Sequence, residues 1–390
     1  MESYKEYLVF SPDYQTKIAF LSVENVQKSF TIDIDWDFPV NNEKMKMFLD
    51  IANDEENKQI QSKEDIEKSI NNIAINESNN LIAFTSNDKS LFLCKIEESS
   101  VKTLSRRCFL RTSSCIRFSN CGKKLYLADK TGDVFEYMTD ENNFNTAGKW
   151  VFGHISQILD LKVSIDSKYI FTSDRDEKIR VTNSPNYHEI EMFCLGHKEF
   201  VSSLTPLNNS TIISISGDGT LRLWNLLSGN QLYFTKFSFT PILLKHYPQT
   251  SSEGILCIST SDFSIKVYEY QLIDNNALKL HLLGEKQYSS DVEMAILKGN
   301  FYIEHIEEVD GVKKVFIDKI QIENKVAAFE ALKEDILTIL NYTSNSSVKI
   351  VKPFDVSLLF KNTGKFDNLK QYIDRKKARI ENQAMKKKKE

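Results

Sequence analysis

Two dipeptides set the chemical question. Gly153-His154 is followed by Thr172 and Asp176, and Gly196-His197 by Ser214 and Asp218. Imidazole, hydroxyl and carboxylate are the groups that nucleophilic catalysis uses when they converge. No GxSxG elbow accompanies them, and the chain has neither a P-loop nor a GxGxxG behind a strand. His188, His246, His281 and His305 show no ligand spacing, which argues against a metal site. Cys94, Cys108, Cys115, Cys121, Cys194 and Cys257 form no CxxC pair, as expected of free thiols in a reducing compartment. Nothing here requires an enzyme, or a cofactor held by this chain. The histidines and aspartates are expected to serve the fold.

A second kind of chemistry stands at Asp174 to Val181, where Arg175, Asp176, Glu177, Lys178 and Arg180 crowd charges of both signs into one turn. Gly or Asn would bend the chain better. Alternating signs suit a partner with complementary charges, whose register they would set. A solvated turn with its own ion pairs is the plainer alternative.

The elements that must position these groups repeat. Each copy is a tight turn followed by an alternating strand, whose first inward residues are Leu91, Val134, Ile179, Leu221 and Ile265, at spacings of 43, 45, 42 and 44 residues. A four-stranded propeller blade takes about 40 to 45 residues. Partner strands precede the turns at 81–85, 124–128, 169–173, 211–215 and 255–259, so the period of two predicts an all-β chain of hairpins. Residues 7–35 read as an earlier set of strands and 292–352 as a degenerate last one. The expected total is seven blades, with a chain terminus closing the ring.

The flanking segments differ in composition. Residues 41–69, charged and poor in aromatics, suit a mobile insertion, with a short helix at 64–73 as the ordered alternative. The propeller is expected to occupy 1–360, followed by a basic helix and tail at 361–390. In that tail Arg375, Lys376, Lys377 and Arg379 could contact RNA phosphates or direct nuclear entry, and a solubilising role is the alternative. The formal net charge of -4 argues against a surface that grips nucleic acid over its whole extent. The start of the chain lacks a signal-peptide core, and no stretch approaches a membrane span, so the nucleus or cytoplasm is expected.

The fifth repeat, with Gly196-His197 at one end and Trp224-Asn225 at the other, resembles the WD-repeat family. In that family a His, a strand Ser or Thr, the turn Asp and the Trp form a hydrogen-bonded chain. The resemblance implies that chain for His197, Ser214, Asp218 and Trp224, and a shortened one for His154, Thr172 and Asp176, where Thr182 replaces the Trp. The stretch from Gly153 to Ser203, with Asp-Arg-Asp-Glu-Lys-Ile-Arg ahead of Phe-Cys-Leu-Gly-His, is similar to one subfamily. That subfamily is the non-catalytic subunit of the eukaryotic tRNA (guanine-N7-)-methyltransferase. Ala128-Asp-Lys-Thr-Gly-Asp-Val134 resembles it too.

The resemblance implies a catalytic partner that binds S-adenosylmethionine and methylates a guanine in the tRNA variable loop, with tRNA reached through the complex. It makes the fourth-blade turn the docking point, with Arg180 and Lys178 as cations and Glu177 as the anion. Aligned with the fifth blade, Asp176, Ile179 and Val181 serve the fold, leaving Arg175, Glu177, Lys178 and Arg180 for the partner. Alternation aims Arg180 away from the face that Ile179 packs, which is expected to expose it. The rival expectation is a general WD-repeat interaction scaffold, such as a substrate receptor in ubiquitin ligation, with no RNA role.

Overall fold

The computed structural model describes residues 1–11, 17–25, 28–40, 68–98, 100–273, 277–309, 312–332 and Leu359. Twenty-eight strands among them form seven four-stranded antiparallel sheets, which are the blades of a propeller. Blade 1 holds β1 Glu2–Tyr4, β2 Tyr7–Phe10, β3 Lys17–Ser22 and β4 Phe30–Asp33. Blade 2 holds β5 Ile70–Asn76, β6 Leu81–Ser86, β7 Ser90–Ile96 and β8 Val101–Cys108. Blade 3 holds β9 Ser113–Phe118, β10 Lys124–Asp129, β11 Asp133–Met138 and β12 Lys149–Gly153. Blade 4 holds β13 Ile158–Val163, β14 Tyr169–Asp174, β15 Ile179–Asn183 and β16 Ile190–Cys194. Blade 5 holds β17 Val201–Pro206, β18 Thr211–Ser216, β19 Thr220–Asn225 and β20 Gln231–Lys236. Blade 6 holds β21 Pro241–Pro248, β22 Glu253–Thr260, β23 Ser264–Ile273 and β24 Ala277–Gln287. Blade 7 holds β25 Glu293–Leu297, β26 Asn300–Val309, β27 Val312–Glu323 and β28 Val326–Ala331.

The repeat residues Leu91, Val134, Ile179, Leu221 and Ile265 are all fully buried, each in the third strand of its blade. Both faces of a blade are covered by its neighbours. In blade 4, Ile179 and Val181 pack with Val201, Leu204 and Trp224 of blade 5. On the other side, Ile158, Leu161 and Ile170 pack with Tyr126, Val134 and Phe152 of blade 3. The first strands touch one another in order around the axis. Because the sheets are antiparallel and sequential, turns between second and third strands lie on one rim, together with the connectors between blades. Turns between first and second strands, and between third and fourth, lie on the opposite rim.

Ring closure differs from expectation. Among the described residues every blade consists of four consecutive strands, and none borrows a strand from the other end of the chain. Blades 1 and 7 instead close face to face, with Leu8, Phe10, Ala19 and Leu21 packed against Ala295, Tyr302 and Ile317. The insertion also ends earlier than expected. Ser69 is buried, its backbone N–H donates to Asn87 Oδ1 at 2.9 Å, and Ile70–Asn76 is a strand where a helix had been the ordered alternative. Residues 41–67 and the basic segment 361–390, with Arg375, Lys376, Lys377 and Arg379, lie outside the described residues.

The axis is lined by charges from several blades. Arg117 Nη1 donates to Glu2 Oε1 at 3.3 Å, Lys245 approaches Glu2 at 3.9 Å, and Lys162 bonds Asp160 at 3.0 Å. Burial pushes the Glu2 carboxyl up, but Lys245 and Arg117 outweigh it and hold it down at about 2. Glu304 has no such cation pair. Burial raises its carboxyl to about 8, against an opposing pull from the Met1 amino group and with further lift from Glu293. The folded chain therefore holds a proton on Glu304 that the unfolded chain releases near 4.5. The stability this contributes is present in full below that value and is lost as pH rises through about 8. Glu304→Gln keeps the shape without the ionisation. Its melting temperature should match the parent's near pH 5, rise above it as pH approaches 8, and then keep a constant lead. Parallel curves across that range would refute this account.

Candidate functional site

The histidine chains assemble where their blades need them. In blade 5, His197 Nε2 lies 2.7 Å from Ser214 Oγ and Nδ1 lies 3.1 Å from Asp218 Oδ2, while Trp224 Nε1–H donates to Ser214 Oγ at 2.8 Å. Burial lowers the proton affinity of His197, against the pull of Asp218. Burial pushes the Asp218 carboxyl up, but bonds to His197 and Thr220 hold it well below the carboxylate range. Every polar side-chain atom of these four residues has a hydrogen-bond partner, the second Asp218 oxygen taking the Thr220 N–H and hydroxyl, which suits a structural clamp rather than a nucleophile open to substrate.

Blade 4 corrects one assignment. His154 Nε2 lies 2.7 Å from Thr172 Oγ1 as the motif implies, but the carboxylate on Nδ1, at 2.9 Å, belongs to Asp174 and not to Asp176. Asp174 ends β14 in the position that Ser216 holds in blade 5. Its second oxygen accepts from the N–H groups of Asp176 at 2.9 Å and Lys178 at 2.8 Å. One carboxylate thus anchors the histidine and shapes the turn, leaving Asp176 half-exposed outside the chain. Thr182, in the tryptophan's place, is buried and accepts from Arg180 Nε–H at 3.0 Å.

That bond exposes a second correction. Arg180 is 8 % exposed and does not present an open cation. Its guanidinium lies 4.7 Å from the Phe152 ring centroid, and it donates to the Gly153 carbonyl at 2.9 Å and the Tyr187 carbonyl at 3.5 Å. Alternation does turn Arg180 away from Ile179, but in a propeller that direction leads into the neighbouring blade. Arg180 therefore ties the turn to the edge of blade 3. Burial lowers its proton affinity.

The other three residues line the rim. Lys178 is exposed, with Nζ donating to the Asp176 carbonyl at 3.1 Å, and Arg175 and Glu177 are half-buried. The Arg175 backbone N–H donates to the Gln157 carbonyl at 2.9 Å, so the turn rests on the connector that carries His154. Glu177 reaches toward blade 5 closely enough for its charge to act on His197.

Glu177 also occupies the left-handed backbone region, with φ of 74°, at the turn position where blade 5 has Gly219 at 76°. For a residue with a Cβ this costs about 1–2 kcal/mol, part of which glycine would lose again through a freer unfolded chain. Glu177→Gly is expected to raise stability by up to about 1 kcal/mol in denaturant titration while removing a charge from the rim. A less stable variant would mean that the Glu177 side chain contributes more to the fold than the strain takes away.

Sequence patterns missed the apolar surface beside this turn. Ile155, in the connector after His154, is 101 % exposed, and Leu195, in the connector after β16, is 62 % exposed. Phe193 and Ile190 on the outer strand of blade 4, and Trp150 on that of blade 3, are exposed as well. Ile155 and Leu195, apolar and exposed in the connectors on the rim of the charged turn, give that rim the composition of a protein interface. Ile155 two residues past a Gly in a connector was the one available signal. Among the described residues no group of three or more His, Cys, Asp or Glu is arranged to hold a metal ion.

Comparison with known proteins adds independent findings. The family model for the tRNA methyltransferase TRM82 WD40 domain matches residues 26–141 and 136–267. The chain is similar to proteins named tRNA (guanine-N(7)-)-methyltransferase non-catalytic subunit wuho. That of Aedes aegypti is 32 % identical over 413 residues, covering 97 % of this chain and 96 % of the relative. That of Culex quinquefasciatus is 35 % identical, covering 79 % and 75 %, and that of Drosophila mojavensis is 31 % identical, covering 94 % of each. Among solved structures, Sqt1 of Saccharomyces cerevisiae superposes with a TM-score of 0.50 at 12 % identity, covering 67 % of this chain and 84 % of that one, a likeness of fold.

Proposed function

Since the chain belongs to the WD-repeat family of non-catalytic subunits of the tRNA (guanine-N7-)-methyltransferase, we propose that it binds and stabilises the catalytic subunit that forms 7-methylguanosine in tRNA. It is not itself the catalyst. The near full-length similarity to the mosquito subunit carries this reading. The family model agrees with it, matching through blade 4 and its charged turn.

The mechanism is positional. A closed ring holds the fourth-blade turn in one conformation through Asp174 and Arg180, and the rim then offers Lys178, Arg175 and Glu177 beside Ile155 and Leu195. A partner docking on a surface already ordered loses less conformational freedom, which strengthens association. Held in one arrangement, the enzyme meets tRNA with its S-adenosylmethionine already placed. The methyl donor belongs to the partner. Basic residues Arg375, Lys376, Lys377 and Arg379 support a phosphate contact with tRNA and a nuclear location, a contact that would weaken with salt without selecting the guanine.

Co-expression with candidate methyltransferases, followed by assay of 7-methylguanosine in tRNA, tests the reading. The pair should copurify and methylate, while the propeller alone should not. Methylation by the propeller alone would overturn its scaffold role. Failure of every such methyltransferase to bind would favour a general interaction scaffold.

A further inference from the structure

On the rim opposite the charged turn, a cleft of about 690 Å³ opens between blades 1 and 2. Lys5 and Glu6 of the β1–β2 turn form one side, with Tyr7 and Phe30 as apolar wall. Ile96, Glu97 and Glu98 at the end of β7 form the other, with Asn80 and Lys298 nearby. The wall is fixed from below. Tyr7 meets Phe30 edge to face at 5.6 Å, Phe30 stacks on Phe20 at 4.7 Å, and Tyr4 Oη–H donates to Asn80 Oδ1 at 2.7 Å across the two blades.

The cations at the cleft are already engaged and the carboxylates less so. Lys298 bonds Glu24 at 2.6 Å, and Lys5 lies 5.0 Å from the Tyr4 ring centroid. Among the described residues the Glu97 carboxylate accepts the Ser100 hydroxyl at 3.0 Å, and neither Glu97 nor Glu98 is in an ion pair. Glu6 has Lys28 at 3.6 Å. Aromatic faces with carboxylates on both sides match a side chain that has an alkyl stem and a cationic head.

We propose that this cleft binds a lysine- or arginine-bearing segment of a partner protein, with the stem against Tyr7 and Phe30 and the cation between Glu6 and Glu97–Glu98. The site is on the far rim from the fourth-blade turn, so the segment and a methyltransferase can bind together.

Fluorescence anisotropy on the full chain tests it, with a labelled Lys-Gly repeat nonapeptide as probe and a Glu-Gly repeat as its acidic counterpart. The basic peptide should bind and the acidic one should not. Glu97→Gln with Glu98→Gln should weaken binding about tenfold, the equivalent of about 1.4 kcal/mol. Glu189→Gln with Glu191→Gln, an equal charge change on exposed residues of blade 4, should leave it unchanged, and Lys5→Glu should strengthen it. All four glutamates are exposed, so the melting curves should coincide. Equal weakening by both double variants would show general attraction to an acidic protein and overturn the site. So would the absence of any binding.

Discussion

Arg180→Glu should severely destabilise this propeller, by about 3–5 kcal/mol, the expected loss when a charge is left buried with no counter-ion. Three acceptors surround the guanidinium, namely the Gly153 and Tyr187 carbonyls and Thr182 Oγ1. A carboxylate there would face the Gly153 and Tyr187 carbonyl oxygens, which cannot donate, with only the Thr182 hydroxyl able to turn a proton toward it, and would lose the Phe152 ring contact. Arg180→Lys should fall between, since one ammonium cannot reach all three acceptors along a planar fork. Denaturant midpoints of the isolated chain provide the measurement. Were Arg180→Glu as stable as the parent, the buried geometry would be wrong and Arg180 would return as an open docking cation. Loss of methyltransferase binding in an Arg180 variant therefore means nothing until the stability of that variant is known.

The second large effect separates docking from folding. Lys178→Glu combined with Arg175→Glu reverses two charges on the rim, where Lys178 is exposed and Arg175 half-buried. Affinity for the catalytic subunit should fall by about 2–5 kcal/mol if the partner meets these cations with carboxylates. Formation of 7-methylguanosine at limiting subunit concentration should fall with it. The melting temperature should change little for Lys178→Glu alone, because the turn is shaped by Asp174 and the backbone rather than by this exposed ammonium. Unaltered copurification with a folded double variant would remove the fourth-blade turn from the interface. The exposed Ile155 and Leu195 would then be the next surface to alter.

The two corrections in blade 4 share an origin. Aligning the turns paired Asp176 with Asp218 correctly in position, yet the acid that meets His154 comes from the strand end. Blades 3 and 4 place an Asp at the strand end, Asp129 and Asp174. Blades 2, 5 and 6 place Ser86, Ser216 and Thr260 there and an Asp in the turn. With two carboxylates two residues apart, sequence cannot say which one faces the imidazole. Arg180 shows the same limit in another form. Alternation gives the face of a strand, but a blade is covered on both faces, so the side away from Ile179 was the Phe152 side and not solvent.

The helix considered at 64–73 failed for a related reason. Lys68 and Ser69 look like the end of a charged insertion, yet Ser69 is held by Asn87 eighteen positions away. The apolar rim beside the turn left little trace in the sequence, because Ile155, Phe193 and Leu195 belong to strand edges and connectors that carry no period.

What the sequence determined by itself was whatever depends on neighbours along the chain. That covers the strands, their turns, the repeat near 43 residues that sets seven blades, and the His–Ser–Asp–Trp set of blade 5. Tertiary structure alone decided which of two nearby carboxylates meets His154, which cation is buried, how the ring closes, and where apolar and acidic surfaces gather on the two rims. The physical reason is one of range. Turn chemistry and alternation act over a few residues, whereas burial and hydrogen-bond partners in a propeller are set by the adjacent blade, a full repeat away.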